Sequence, residues 1–148
     1  MDHTLRKATE DDREFLRRLH HTVVRRYVEA IWGWDEVRQD EFVRQELEQT
    51  SPLIIEINGQ SAGQITVNER EDEWTLVQLF ILPEFQGQGI GTALLQWITR
   101  EADCCEVPIV LRVFKANPAR HLYERFGFCV EREDDICFHM RRPPVPLA

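Results

Sequence analysis

The chain carries 26 Asp and Glu residues, yet none falls between Phe85 and Arg100. Within that window stands Gln86-Gly87-Gln88-Gly89-Ile90-Gly91-Thr92. Glycine has no Cβ, so backbone N–H groups in this loop can come close to a ligand. Ile90, Leu94, Leu95, Ile98 and Ala102 follow at helical spacing, so the loop opens a helix. The N–H groups and dipole at a helix start favour a phosphate, and here it meets no like charge. Spacing rules out two familiar phosphate chemistries. Neither frame gives the G-x-G-x-x-G or -A of a dinucleotide fold, because Thr92 and Leu94 stand at the final positions. No lysine follows Gly91, so this is not a nucleotide-hydrolysing P-loop.

A second segment, Asn117-Pro118-Ala119-Arg120-His121-Leu122-Tyr123-Glu124-Arg125-Phe126-Gly127-Phe128, sets a phenol on a short helix. A phenol keeps its proton at neutral pH and donates a short hydrogen bond. Ala119, Leu122 and Phe126 flank Tyr123 at helical spacing, so the residues alone equally allow a core tyrosine. Asn117, just before Pro118, suits a helix cap. Trp32 and Trp34 can form an apolar or cation-attracting wall, or pack beneath a helix junction. His20 and His21 read as solvated or partly packed. The cysteines (Cys104, Cys105, Cys129, Cys137) include no C-x-x-C pair. Adjacent Cys104 and Cys105 give poor zinc geometry, so no metal is expected. The thiols read as reduced and mostly packed.

The elements that must position these groups follow from period and punctuation. Leu5 to Ala8 reads as a first strand. A helix follows, capped by Thr9 and Asp12, with Phe15, Leu16, Leu19, Val23, Tyr27 and Ile31 as its apolar stripe and Gly33 as its stop. A more polar helix spans about Asp35 to Leu47, with Val37, Phe42, Val43 and Leu47 as its weak apolar side. Strands are expected at Leu53 to Ile57 and Gln60 to Val67, joined by the Asn58-Gly59 turn, and at Trp74 to Leu82. Helices are expected from Ile90 to about Ala102 and from Pro118 to Gly127. Further strands are expected at Pro108 to Phe114, Phe128 to Arg132 and Ile136 to Arg141. Residues 143–148 read as a loose tail. The 74–82 strand, the 90–102 helix and the 109–114 strand make a β-α-β unit, whose strands run parallel with a ligand at their carboxyl ends.

Both motifs resemble those of the GNAT superfamily of N-acyltransferases. Gln86, Gly89 and Gly91 match its acyl-CoA-binding Q-x-x-G-x-G, preceded by Leu79-Phe80-Ile81-Leu82-Pro83-Glu84-Phe85. Asn117 to Phe128 is similar to its N-x-x-A…(L/F)-Y-x-x-x-G-F element, and Leu5 to Thr9 is like its first strand. The resemblance runs from residue 5 to about 141. It implies one α/β domain over 1–148, with a mixed, mostly antiparallel sheet and helices on both faces. It implies acetyl-CoA as cosubstrate. Backbone groups around Leu79, Phe80 and Ile81 would then hold the pantetheine arm. Gln86, Gly87, Gln88, Gly89, Ile90, Gly91 and Thr92 would wrap the pyrophosphate, and Asn117 would touch the same molecule. Tyr123 takes the position of the general acid for the leaving thiolate, and Trp32 and Trp34 border the acceptor pocket. Some members carry a glutamate five residues before the asparagine. Here that position is Arg112, so the base is left among Glu29, Glu36, Glu84 and a water chain.

Composition narrows the partners. Lys plus Arg is 18 against 26 acids, a net charge of 18 − 26 = −8, which speaks against coating nucleic acid or an anionic membrane. With 43% hydrophobic and 30% charged residues the chain reads as globular. No apolar run resembles a signal peptide or a span, so a cytoplasmic location is expected. The expected activity is transfer of an acetyl or short acyl group to a primary amine, on a small molecule or a peptide, by direct attack. The alternative is a non-catalytic acyl-CoA sensor. The resemblance leaves the oligomeric state open, with a homodimer as one expectation.

Overall fold

The computed structural model describes residues 2–146. The fold is α/β. Seven strands, Thr4–Lys7 (β1), Leu53–Ile57 (β2), Gln60–Glu69 (β3), Trp74–Ile81 (β4), Ile109–Phe114 (β5), Cys129–Glu133 (β6) and Cys137–Arg142 (β7), form a sheet ordered β1-β2-β3-β4-β5-β7-β6. β1–β2, β2–β3, β5–β7 and β6–β7 pair antiparallel, whereas β4 and β5 pair parallel. The helices are Arg13–Trp32 (α1), Glu36–Gln49 (α2), Ile90–Cys104 (α3) and Ala119–Arg125 (α4). Two compact units divide the chain: one through Thr66 together with Gln78–Ile90, the other Val67–Val77 with the chain from Gly91 onward.

In the first unit, Ile54, Ile55, Ile57, Ala62 and Ile65 of β2 and β3 are buried, as are Leu16, Leu19, Val24, Tyr27 and Val28 of α1. The α1 entry is built on Asp12. Its carboxylate accepts the Thr9 N–H at 2.7 Å and both arms of the Arg6 fork at 2.8 Å. This pairing with Arg6 lowers the Asp12 pKa to about 2. The turn after β2 has positive φ at Asn58 (51°) and Gly59 (76°), as a tight hairpin requires. Two apolar stripes differ from expectation. Ile31 lies on the inner azimuth of α1, but in its final turn, and is 40% exposed. On α2, Val37 and Phe42 point outward, and the buried residues are Gln39 and Val43. A polar residue on an inner face defeats a reading based on apolar period.

In the second unit, α3 buries Leu94, Leu95, Ile98 and Ala102, as its spacing predicts. Ile109, Leu111, Val113, Phe128 and Met140 complete that core. β4 and β5 register at Trp74↔Ile109 and Thr75↔Val110, while β5 and β7 register along their whole length from Ile109↔Arg142 to Phe114↔Cys137. Arg142 and Asp103 form a buried bidentate pair at 2.8 and 3.0 Å, and Arg142 Nε donates to the Phe126 carbonyl at 2.8 Å. The same Asp103 carboxylate accepts the Val145 N–H at 2.9 Å. The segment expected to be loose is therefore tied at Val145, while its last residues, 147–148, lie outside the described ones. Only Cys137 is buried; Cys104, Cys105 and Cys129 are exposed, and all four are free thiols. The expectation of mostly packed thiols fails because the first two end a helix and the third lies on a fully exposed strand.

Candidate functional site

In the first unit, β4 ends with buried Gln78 and half-buried Leu79, Phe80 and Ile81. Three half-buried apolar residues in succession leave this strand end partly exposed. β3 comes unusually close to it: a Cβ on Gly63 would stand 2.2 Å from the Phe80 carbonyl oxygen. A 3-10 turn at Pro83–Phe85 follows. Gln86 folds back, its Nε2 donating to the Ile81 carbonyl at 2.8 Å. The glutamine of the motif thus anchors the loop to the strand it leaves. Gly87 (φ 77°) and Gly89 (φ 82°) both adopt the left-handed conformation, with open space where a side chain would stand. Gln86, Gly87, Gln88 and Gly89 are exposed, and Ile90 is buried as α3 begins. This exposed backbone turn at a helix start suits an anionic group. Gly91 and Thr92, half-buried in the first turn of α3, belong to the second unit.

Also in the second unit, Asn117 Oδ1 accepts the Ala119 N–H at 2.9 Å, so its side-chain oxygen caps α4. Tyr123 is buried, its ring edge-on to Phe128 at 5.8 Å. Burial pushes its phenol up to about 12, so it is a proton carrier at neutral pH and not an anion.

The acceptor-side candidates lie on α1 and α2. Trp32 is 62% exposed. Trp34 is half-buried beneath the Arg25 guanidinium (5.2 Å) and edge-on to His21 (5.0 Å), and its buried indole N–H has no partner. It takes the junction-packing role, while Trp32 faces outward. Glu29 pairs with Arg25 at 3.0 Å and Glu36 with Arg17 at 3.1 Å, and Glu84 is exposed. A cluster not foreseen in the sequence is more enclosed. A cavity of about 10 Å³ is lined by His20, Glu46 and Gln64 among Leu16, Val43 and Phe80. His20 Nε2 lies 2.9 Å from Gln39 Oε1. Gln64 Nε2 donates to Thr66 Oγ1 at 2.9 Å and to Gln78 Oε1 at 3.2 Å, and Gln78 Nε2 donates to Glu46 Oε2. The only signal available in the sequence was the polar count on α2, where Gln39 and Glu46 each sit about one turn from Val43, on either side of it. Among the described residues no group of His, Cys, Asp and Glu is arranged to hold a metal, and no helix is long and apolar enough to cross a membrane.

The family profile of the acetyltransferase (GNAT) domain matches residues 48–130, and the chain belongs to that family. Its fold is shared with the PaiA N-acetyltransferase of Thermoplasma acidophilum, solved with coenzyme A (TM-score 0.76, 19% identity, 97% of this chain and 99% of that one). It is also shared with the ribosomal-protein-S18-alanine N-acetyltransferase of Escherichia coli (TM-score 0.71, 23% identity, 99% and 96%). PH1933 of Pyrococcus horikoshii OT3 is similar as well (TM-score 0.78, 18% identity, 97% and 99%). No curated protein sequence matches the chain.

Proposed function

We propose that the chain, as one domain, transfers an acetyl or short acyl group from acetyl-CoA to a primary amine by direct attack, without an acyl-enzyme. The observation that carries this reading is the exposed turn through Gly87 and Gly89, both left-handed and both open above the Cα. It runs into α3 within a stretch free of carboxylates. Backbone amides there would hold the pyrophosphate, and the half-buried Leu79, Phe80 and Ile81 the pantetheine arm. The relative from Thermoplasma was solved with coenzyme A, which agrees. Asn117 keeps its amide N–H₂ for the same molecule while its oxygen caps α4.

Tyr123 is the donor to the departing sulfur. Its pKa of about 12 exceeds that of a thiol, about 8.5, so complete proton transfer is uphill. The phenol therefore stabilises the thiolate by donating a hydrogen bond. The acidic surface suits a cationic amine, small or peptidic, and not nucleic acid or membrane. The Escherichia coli relative is named for an alanine acceptor on a ribosomal protein, which favours a peptide among the amines to try first. A cytoplasmic location and a homodimer complete the reading.

Two measurements test it. Acetyl-CoA should raise Tm by several degrees, and thiol should appear when amines from a panel are added. Tyr123→Phe should lower kcat roughly 10²-fold or more and leave acetyl-CoA affinity within about twofold. Binding without thiol release from any amine would assign the chain as an acyl-CoA sensor instead. A stable acetyl-enzyme formed without acceptor would exclude direct attack.

A further inference from the structure

We infer that the open pocket on the β5–β7–β6 face is an anion site, in which Arg112 and Arg132 hold a carboxylate or phosphate carried by the acceptor. The acceptor is then a small amine that bears an acid group, as an amino acid or a phosphorylated amine does. This rests on the transferase reading above and names the substrate class within it.

The sheet register builds the site. Arg112 on β5 stands opposite His139 on β7, and Arg132 on β6 stands opposite the same His139. Residues opposed in this way share a face, so three basic side chains form one row across three strands. In the next row Arg141 lies between Val110 and Cys129. This face turns away from α3, because Arg142, the next residue of β7, reaches Asp103 on that helix. Arg112, Arg132, His139 and Arg141 all line one cavity of about 280 Å³, with Thr75 and Val110. All of them belong to the second unit.

Like charges set opposite one another across strands destabilise a sheet. The fold neutralises only part of this row and the next. Glu73 Oε1 accepts from Arg141 at 2.8 Å, and Asp134 Oδ2 lies 2.9 Å from His139 Nε2. Glu131, at the β6 bulge, is the other acid lining the cavity. Among the described residues, Arg112, Arg132 and Glu131 form no ion pair. Elsewhere Arg6, Arg17, Arg25, Arg44 and Arg120 each pair with a carboxylate. With 26 acids against 18 basic residues, counter-charges are plentiful. Two exposed guanidiniums left unmatched on one cavity wall are therefore open to an anion from solution.

Geometry suits one. Adjacent strands lie about 4.8 Å apart, so Arg112 and Arg132, two strands apart, are separated by about 10 Å at the backbone. Long side chains on that base can converge on a single group between them. Each guanidinium is a planar fork that matches paired carboxylate or phosphate oxygens. The volume sits at the lower end of small-molecule pockets, roughly 300–1,000 Å³, which fits a metabolite-sized acceptor. Arg112 also lies two residues beyond Thr75↔Val110, the last rung that β4 shares with β5. It is thus toward the carboxyl ends of the parallel strands, where ligands enter such a sheet. The negative outer surface draws the ammonium end of the acceptor, and the two local arginines select its acid end.

The test uses the intact chain and matched acceptors: alanine and alaninamide, aspartate and asparagine, phosphoethanolamine and ethanolamine. Thiol release from acetyl-CoA gives kcat and KM for each. In at least one pair the acid-bearing member should exceed its neutral partner about tenfold or more in kcat/KM, and which pair does so tells carboxylate from phosphate. Arg112→Gln and Arg132→Gln should each raise the KM of that acceptor about tenfold, with kcat far less changed. Acetyl-CoA affinity should stay within about twofold by calorimetry. The double variant should no longer distinguish the pair. Without catalysis, excess of the acid-bearing compound should raise the Tm of the wild type and not of the double variant. With no ligand the double variant should melt no lower than the wild type, because the like charges are gone. Equal kcat/KM within every pair, or an unchanged KM in both variants, overturns the assignment while leaving the transferase intact. So does a loss that falls on acetyl-CoA affinity, which would make the pocket part of the cosubstrate's site, or a ligand-free double variant that melts well below the wild type. Absence of thiol release from the wild type with every amine overturns the transferase reading, and the acceptor role of the pocket with it.

Discussion

Asp103 and Glu46 are both carboxylates drawn in from the surface, and the fold treats them in opposite ways. Asp103 is closed. The Arg142 fork takes both its oxygens and the Val145 N–H adds a third donor. Glu46 is held by a neutral amide, Gln78, and stands at the wall of a cavity with His20. A buried charge matched by a fixed counter-charge is finished chemistry, because nothing is left for a visitor to complete. Glu46 instead belongs to a chain of side-chain amides beside a small void. The first cluster is filled by its own partners, whereas the second leaves a small space beside it.

That contrast can be broken experimentally. Asp103→Asn strands a buried guanidinium and should cost about 3–5 kcal/mol in urea unfolding, whereas replacing both partners with apolar residues of similar volume should restore most of it. A double replacement as unstable as the single would show that the ion pair itself, and not the stranded charge, carries the effect. Gly63→Ala should come next, at about 1–3 kcal/mol, because the new methyl group would stand 2.2 Å from the Phe80 carbonyl. It should also weaken acetyl-CoA binding, since the displaced backbone is the strand end assigned to the arm. Glu46→Gln should cost less than about 1 kcal/mol, as an amide oxygen can still accept from Gln78. A stability loss as large as that of Asp103→Asn would erase the distinction between the two clusters.

The acid limb of stability sharpens the same point. Asp12, with a folded pKa of about 2 against an ordinary 3.8, and Asp103, also lowered by its arginine, hold their charge more firmly folded than unfolded. Their contribution is therefore complete above about pH 4 and is lost as pH falls toward 2. Thermal melts between pH 5 and 2 should show Tm falling, and Asp12→Asn should flatten part of that slope. The smallest effect is expected at Arg44. Its pairs with Glu41 and Glu48 lie on an exposed helix face, so Arg44→Ala should leave Tm unchanged within error.

Much of the fold could be read from period and punctuation. The α3 stripe from Ile90 to Ala102, the Asn58-Gly59 turn and the Asp12 cap all use local rules, and local rules are visible along a chain. The glycine loop was visible for the same reason: Gly87 and Gly89 are needed by backbone conformation, which sequence neighbours decide. The His20–Glu46 cluster was not. It joins α1, α2, β3 and β4 through hydrogen bonds between residues far apart in sequence, such as Glu46 and Gln78. Its members break the apolar pattern of the elements that carry them. The exposure of Phe42 and Val37 has the same origin, since the inner side of α2 was given to Gln39 and Glu46. Gln86 shows a subtler limit. Its place in the motif was legible, but its hold on the Ile81 carbonyl depends on how the turn closes.

The surface thiols bear on how the activity must be followed. A reagent that counts free sulfhydryls will meet Cys104, Cys105 and Cys129 at once, while Cys137 is shielded and its thiol pushed up by burial. Before any product forms, each chain should therefore consume three equivalents quickly and a fourth only on unfolding. Single-turnover signals drown beneath that background unless the three are first alkylated. Capping them beforehand turns a nuisance into a calibration, because the fourth equivalent then reports the unfolded fraction in the same cuvette.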